Sequence, residues 1–221
     1  MSVRYASIVK VCEPIRLCTS RNYHFAIGLR DGEYVLAGRI ELDEGYFSTE
    51  IPQEEKDKPL KRGRGSQKKS KVLVMAESVF VESPPKGQKP RRVGYIKMKV
   101  IDNLQAETIN EQVKSLAGNT TEIDTDDSTS YVDLKDFVPR HHAQVISKEK
   151  VGEILPWVHI AISNAKRQIL NTFHDVKPEF LQKYLDEFCY KFNRRYYGEA
   201  LFNRLLVACV RYKNEYRYIY G

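Results

Sequence analysis

Residues 40–47 read IELDEGYF, and in this segment apolar Ile40 and Leu42 alternate with acidic Glu41 and Asp43. Alternation with a period of two is typical of a β-strand, with the acids on one face and the apolar side chains on the other. Because the apolar character ends here, we expect the strand to deliver a carboxylate to a polar site. The segment therefore predicts a strand that carries Asp43 as a candidate metal ligand.

A second acidic motif, TDDSTSY at residues 125–131, follows a short apolar segment that starts at Glu122. We predict a short strand that delivers Asp126 at its end. Phosphodiester cleavage or transfer uses two metal ions about 3.5–4 Å apart, held by hard oxygen ligands. Asp43 and Asp126 can supply those oxygens only if the fold brings the two strand ends together.

Periodicity along the rest of the chain predicts the order of the helices and strands. The predicted strands are 34–47 (from segments 34–37 and 40–47), 71–81, 93–100, 122–125 and 142–146; the predicted helices are 104–116, a short one at 131–134, 156–170, 178–192 and 200–212. This order predicts a ribonuclease-H-like α/β fold, with a mixed five-stranded sheet flanked by helices and a C-terminal helical extension. In that arrangement the first acid lies on the central strand, and the second acid just after the fourth strand.

Composition and periodicity predict three regions in the chain. Residues 1–30 show no clear period and are interpreted as a poorly defined N-terminal remnant, residues 31–175 as the catalytic domain, and residues 176–221 as the helical extension. No apolar run approaches the roughly 20 residues that a membrane-spanning helix needs. The first residues also lack the pattern of a signal peptide.

The four cysteines, Cys12, Cys18, Cys189 and Cys209, show no spacing typical of a metal site. We interpret them as reduced thiols of a cytosolic protein. For Cys189 and Cys209, which fall within apolar helical patterns, packing in the core is the simpler interpretation.

The net charge of +7 is concentrated in one segment. Residues 55–71 hold eight Lys or Arg against two acids, whereas residues 102–136 hold nine acids against two lysines. A basic loop beside an acidic pocket predicts a protein that binds a polyanion and coordinates cations. The predicted DNA-binding residues of this loop are Lys61, Arg62, Arg64, Lys68 and Lys69. The alternative is an ordinary solvated charged loop.

Taken in order along the chain, the motifs resemble the catalytic domain of bacterial insertion-sequence transposases of the ISXO type, in the DDE-type superfamily. The resemblance runs from about Gly28 to about Phe202. Its motifs are IELDEGYF, KRGRGSQKKSKVLV, TDDSTSY, HIAISNAKR, the pair Phe173-His174, and YLDEFCYKFNRR at residues 184–195. Any one of these motifs alone is weak evidence, but their combination in this order is specific.

The resemblance implies a DNA transposase that cleaves a strand at an element end and transfers the freed 3′-hydroxyl. It implies Mg²⁺ as cofactor, with Mn²⁺ as a substitute, and the insertion-sequence ends and target DNA as partners. It further implies a homodimer or larger oligomer on DNA, no membrane partner, and a bacterial cytoplasmic protein associated with the nucleoid.

By position, the resemblance implies that Asp43, Asp126 and Asn164 hold metal and, with Lys166, form the catalytic set. Some branches of the family carry Glu at the third place and others Asn; counting from His159, that place falls on Asn164. A neutral amide brings no charge to the second metal. Lys166 and Arg167 would hold DNA phosphates, or alternatively neutralise the acidic pocket.

Other polar residues near these motifs carry two interpretations each. Arg194 and Arg195 would bind DNA or interact with the C-terminal dipole of their own helix. His159 and His174 would position phosphate or water, or serve as structural histidines. Glu44 and Asp127 adjoin the catalytic acids and are expected to point outward or to cap helices; His141 and His142 are expected at a strand edge.

Full-length members of this family carry a zinc ribbon and a helix-turn-helix before the catalytic domain, and residues 1–27 match neither pattern. Two alternative functions therefore stand beside the transposase. One is a decayed, catalytically inactive fragment that only binds DNA, which Asn164 favours and the intact Asp43 and Asp126 oppose. The other is a ribonuclease-H-like nuclease with a cellular role, against which YLDEFCYKFNRR argues.

Overall fold

The computed structural model describes residues 16–118, 121–126, 128–136, 138–144, 154–173 and 175–212. The strands are β1 (Arg39–Ser48), β2 (Lys69–Phe80), β3 (Arg91–Ile101), β4 (Glu122–Asp126) and β5 (Arg140–Gln144). The α-helices are α1 (Arg16–Gly32), α2 (Ala106–Leu116), α3 (Pro156–Thr172), α4 (Pro178–Asn193) and α5 (Ala200–Arg211). Short 3-10 helices cover Gln53–Glu55, Gly63–Gly65, Thr129–Asp136 and Arg195–Tyr197.

The five strands form one mixed sheet in the order β3-β2-β1-β4-β5. β1 is antiparallel to β2 and parallel to β4, and β4 is parallel to β5. The register pairs Glu41 of β1 with Asp124 of β4. Asp43 and Asp126, each two residues further on, therefore lie at the same level of adjacent strands. The predicted ribonuclease-H-like fold and the central position of the first strand are confirmed.

Each face of the sheet packs against its own hydrophobic cluster, as the alternation in β1 predicts. Ile40 and Leu42 are fully buried against residues of β2 and α2. On the opposite face Phe47 packs with residues of β2, β3, α3 and α4. The acidic face of β1 therefore turns towards α3, the helix that carries the predicted third catalytic residue.

Helix α4 closes the outer edge of the sheet with two side-chain amides. Gln182 accepts from the backbone N–H of Val100 at 2.8 Å and donates to the carbonyl of Met98 at 3.0 Å. Eleven residues later, Asn193 accepts from the N–H of Ile96 at 2.8 Å and donates to the carbonyl of the same residue at 3.0 Å. These amides take the place of a neighbouring strand on β3, whose edge groups would otherwise be unpaired.

Three elements differ from the sequence-based prediction. Tyr34–Ala37 does not belong to β1; Leu36 makes only an isolated bridge to Ala117. Helix α1 forms where no element was predicted, and it runs past the boundary expected at residue 30. Strand β5 begins two residues earlier than predicted, and residues 145–150 lie outside the described part of the chain.

Helix α1 packs against α4 and α5 and is fixed to α4 by polar contacts. Asp31 forms an ion pair with Arg194 at 2.5 Å, and His24 lies 3.1 Å from the carboxylate of Glu187. Within the described residues, every helix is too short or too polar to cross a membrane.

Candidate active site

A cleft of about 720 Å³ opens beside the second half of β1 and the end of β4. Asp43 and Asp126 both line it, so the fold brings the two predicted acids together, although β1 continues for five residues beyond Asp43. Helix α3 contributes His159 and Lys166 to the wall, and the basic loop contributes Lys69. With Glu44, three carboxylates and two lysines therefore share one cavity, which suits a phosphate group bound beside a cation.

Short contacts orient the two aspartates. The Oδ1 atom of Asp43 accepts from the N–H of Glu44 at 2.7 Å, and its Oδ2 lies 3.5 Å from Nδ1 of His159. The Oδ1 atom of Asp126 accepts from the N–H of Ser128 at 3.2 Å. Backbone N–H groups therefore orient both carboxylates, and His159 also contacts Asp43.

His159 is half-buried and faces both aspartates. Burial lowers the pKa of His159, against an opposing effect from Asp126, so the neutral ring is favoured. Its Nε2 is buried and has no hydrogen-bond partner among the described residues. The nitrogen that faces the carboxylate of Asp43 is Nδ1, and a neutral imidazole nitrogen beside a carboxylate has the chemistry of a metal ligand.

Asn164 does not line the cleft, although it was predicted as the third metal-binding residue. At 3.6 residues per turn, Lys166 comes back to within about 20° of His159, whereas Asn164 is turned about 140° away. The cleft-lining residues of α3, namely His159, Lys166, Ile169 and Leu170, follow that single stripe. The structure therefore brings His159, and not Asn164, beside Asp43.

Lys166 lies where the sequence predicted a phosphate-binding cation. Its Nζ is 5.6 Å from the ring centroid of Phe47, and the side chain is half-buried in the cleft wall. Burial and then the nearby charge of Lys69 lower the pKa of Lys166, while Asp43 opposes the shift. Arg167, one residue on, is exposed and does not line the cleft.

Glu44 also lines the cleft, contrary to the expectation that it points outward. The hydroxyl of Tyr131 donates to Glu44 Oε2 at 2.6 Å. Tyr131 is buried, and burial together with Glu44 raises the pKa of Tyr131, so it stays a donor. Tyr131 ends the TDDSTSY motif, and a buried tyrosine hydroxyl usually has a hydrogen-bond partner. This residue could therefore have indicated a contact with a nearby acid.

Glu41 is a further residue of the site that the sequence did not reveal. Its buried carboxylate accepts from the N–H groups of Trp157 at 2.7 Å and Val158 at 3.1 Å, in the first turn of α3. Burial raises the pKa of Glu41 to about 7, although the two backbone hydrogen bonds oppose this shift. Glu41, two residues before Asp43 on β1, therefore connects β1 to the start of α3 through these hydrogen bonds.

The donor set fits a hard divalent cation bound together with its substrate. Among the described residues no three His, Cys, Asp or Glu side chains converge closely enough to form a complete metal site by themselves. Mg²⁺ is usually held by one or two carboxylates, with water and substrate phosphates as the other ligands. Asp43 and Asp126 meet that requirement, and Nδ1 of His159, 3.5 Å from Asp43, offers a further donor.

Comparison with protein-family models matches residues 35–193 to the ISXO2-like transposase domain. The chain belongs to this transposase family. The match confirms the resemblance to DDE-type transposases, and membership implies DNA as a partner and use of divalent metal ions. Searches of curated proteins and of solved structures found no match to the chain.

The ISXO2-like domain places its basic loop at the rim of the cleft. Lys61, Arg62 and Lys68 are exposed, and Lys69 reaches the cleft itself. The side chain of Gln67 accepts from the N–H of Lys61 and donates to the carbonyl of Pro59, both at 2.9 Å, which folds the loop back on itself. The side chain of Arg64, like His174 and Asp127, lies outside the described residues.

Two arginines predicted to bind DNA are used inside the fold of this transposase domain. The guanidinium of Arg194 is buried between the Asp31 carboxylate and the ring of Tyr190, 3.9 Å from its centroid. Arg195 donates to the carbonyls of Phe192 at 2.8 Å and Val93 at 2.9 Å. Both guanidinium groups therefore have acceptors within the fold, and the contact of Arg195 with Phe192 is an interaction with the end of its own helix, the alternative to DNA binding.

Proposed function

We propose that this ISXO2-like domain cleaves a DNA strand at the end of an insertion sequence and transfers the freed 3′-hydroxyl to target DNA. The observation that carries the proposal is that Asp43 and Asp126 line one cleft together with Lys166 and Lys69. Mg²⁺ or Mn²⁺ is the proposed cofactor. Divalent ions in such a site activate the attacking oxygen and stabilise the leaving one.

In this proposal the acidic residues bind the cation and the basic residues bind the phosphate. Asp43 and Asp126 would hold the cation, and the two lysines would face the phosphate bound to it. Lys166, supported by Lys69, compensates the negative charge that develops on the phosphate in the transition state. Because Lys166 is half-buried, its attraction to that charge is screened less than that of an exposed lysine.

His159 takes the third place in this proposal instead of Asn164. Its Nδ1 lies 3.5 Å from Oδ2 of Asp43, and its side chain lines the cleft. A neutral imidazole suits Mn²⁺ better than Mg²⁺, since nitrogen is a softer ligand than a carboxylate oxygen. We therefore expect Mn²⁺ to support the reaction at lower concentration than Mg²⁺.

The basic loop is proposed to hold the DNA backbone without reading its sequence. Lys61, Arg62 and Lys68 are exposed at the rim of the cleft, and cations on an exposed loop contact phosphates rather than base edges. A dimer or larger assembly on DNA is part of the same proposal, because transposition joins two element ends to one target.

An inactive DNA-binding fragment remains the alternative, and one observation favours it. The described residues contain no complete three-ligand metal cluster, and Glu44, the additional acid in the cleft, is engaged by Tyr131. In that case the domain would bind DNA through the loop and cleave none of it.

Single-turnover nicking of DNA that carries the element's own ends, with Mg²⁺ or Mn²⁺, separates the two functions. The proposal predicts metal-dependent nicking that Asp43→Asn and Asp126→Asn each reduce by at least about a thousandfold. Glu111→Gln, an exposed acid on α2, is the matched control and should nick at the unmodified rate. DNA binding without nicking in either metal would establish the inactive fragment instead.

A further inference from the structure

A second cleft, of about 490 Å³, lies at the connection between β2 and β3. It is remote from the candidate active site along the sheet. Val74 of β2 pairs with Asp43, whereas Phe80, which lines the second cleft, is six residues further along β2. At about 3.4 Å per residue, this separation is about 20 Å. The cleft therefore cannot be a part of the metal site.

The walls of this cleft combine aromatic rings with cations. Phe80 is 62% exposed, which is unusual for a large apolar side chain, and Trp157 contributes its indole. Lys89, Arg91 and Arg92 also line it, and none of the described residues in the lining is acidic. The Nζ of Lys89 is 6.0 Å from the Trp157 ring centroid. Stacking surfaces next to phosphate-binding cations are the features that bind single-stranded nucleic acid.

The cleft is preformed because its walls are tied to the backbone. The N–H of Val81 donates to the carbonyl of Pro90, and that of Gln88 to the carbonyl of Pro85, both at 2.9 Å. Arg91 is fixed by hydrogen bonds to the side chain and the carbonyl of Ser78. Lys89 and Arg92 are exposed at the surface. A ligand would therefore meet a fixed backbone and a fixed Arg91, with two exposed cations at the rim.

Helix α3 connects this cleft to the candidate active site. Trp157 lies in its first turn and Lys166 nine residues later, which is about 14 Å along the helix axis. The rise of one DNA strand is about 3.4 Å per nucleotide, so about four nucleotides cover that distance. Around the helix the two residues are about 180° apart, so a strand that occupied both clefts would also have to turn around α3.

We propose that the Trp157 cleft binds an unpaired nucleotide of the DNA, with its base stacked on the aromatic side chains and its phosphate held by Lys89 and Arg92. The proposal rests on the proposed function in that both require DNA as the substrate. A base in a duplex has both faces covered by its neighbours and cannot stack on Phe80 or Trp157. The occupant is therefore single-stranded, at a strand end or at a locally opened pair.

Trp157 is the only tryptophan of the chain, so tryptophan fluorescence reports on the residue that lines this cleft. The full chain is titrated in EDTA with a 12-nucleotide oligothymidylate and with a 12-base-pair duplex. We expect saturable quenching by the single strand and little quenching by the duplex at equal occupancy. Phe80→Ala should weaken single-strand binding roughly tenfold, since stacking is worth about 1–3 kcal/mol per base.

Two further variants distinguish binding of the single strand in this cleft from binding elsewhere on the surface. Val79→Ala, which removes a partly exposed apolar side chain outside this cleft, should leave single-strand affinity unchanged. Lys89→Ala combined with Arg92→Ala should weaken binding and reduce its salt dependence. Equal quenching by duplex and single strand, or unchanged affinity in Phe80→Ala, would overturn the proposal.

The assay needs no metal and no cleavage, so its failure is distinct from failure of the proposed function. Quenching that persists in Asp43→Asn, where nicking is lost, supports both. A chain that nicks normally but whose Trp157 does not respond to single strands would retain the proposed function and exclude the second site.

Discussion

The carboxylate of Glu41 accepts a hydrogen bond of 2.7 Å from the backbone N–H of Trp157, which joins β1 directly to the start of α3. The first N–H groups of a helix have no partner within the helix, and a carboxylate there is favoured by the helix dipole. This contact sets the position of α3 along β1. His159 comes to lie beside Asp43 as a consequence.

Replacing Glu41 should therefore impair catalysis through the position of α3. We expect Glu41→Ala to lower the free energy of unfolding by about 1–3 kcal/mol, because two buried N–H groups lose their acceptor, and to reduce nicking strongly. Glu41→Gln keeps an acceptor oxygen and should recover much of the nicking rate. Thermal unfolding and single-turnover rates are measured on the same samples. Equal losses in Ala and Gln would contradict a positioning role.

The third position of the metal site is tested by comparing two residues of one helix. His159→Ala should abolish nicking or raise the Mn²⁺ concentration needed at least tenfold, because a donor beside the aspartates is lost. Asn164→Ala should nick almost normally, since Asn164 is turned away from the cleft. Rates are measured across a Mn²⁺ titration. The opposite ranking would return Asn164 to the site.

Alanine at Lys61, Arg62 and Lys68 together should weaken binding of all DNA sequences about equally. The slope of log affinity against log salt should fall by roughly 0.9 for each DNA phosphate that the loop no longer neutralises. The matched control is alanine at Lys114, Lys135 and Lys183, three lysines exposed elsewhere on the domain. If the loop variant and the control have the same slope, the loop is only a solvated surface.

Arg194 should matter for stability and not for DNA binding. Arg194→Ala leaves the mostly buried carboxylate of Asp31 without its guanidinium partner, at a cost of about 3–5 kcal/mol. Asp31→Asn combined with Arg194→Met removes both charges and should cost much less. Denaturant unfolding gives the free energies. A changed salt slope in a variant that remains folded would show that Arg194 binds DNA after all.

Stability should depend on pH through Asp186. Burial raises the pKa of Asp186 to about 6, against 3.8 for an ordinary aspartate, even though Gln182 donates a hydrogen bond to it. Between these values the folded state binds the proton more tightly, so the group favours folding below pH 3.8 and loses this effect as pH rises through 6. Asp186→Asn should therefore raise the Tm at about pH 8 and have little effect at about pH 4. A pH-independent difference in Tm would contradict this assignment.

The two faces of β1 could be predicted from sequence because side chains alternate locally along a strand. Ile40, Leu42 and Asp43 already specify which face of β1 is buried and which carries the acid. The rotation of α3 is not a local property, since it depends on contacts such as that of Glu41 with the helix start. Counting along the chain therefore reached Asn164, whereas packing turned His159 into the cleft.

The role of Arg194 could not be predicted from the charge pattern, because its partner is far away in the sequence. Arg194 and Lys61 have the same sign and the same apparent availability in the sequence, but only the fold reveals that Asp31 lies against Arg194. The partner is on α1, a helix whose sequence lacks a clear apolar stripe and which forms because α4 and α5 pack against it. The rotation of α3 and the environment of Arg194 both depend on contacts between residues that are far apart in the chain.

The amides of Gln182 and Asn193 also determine how the chain can safely be shortened. Without α4, the backbone groups of β3 between Ile96 and Val100 would be presented to other molecules as an open template. A version that ended before Pro178 would keep every acid of the cleft and yet be expected to add strands from neighbouring copies and precipitate. Helix α4 thus prevents self-association of the sheet. Its removal is expected to make the protein insoluble even though the acids of the cleft are retained.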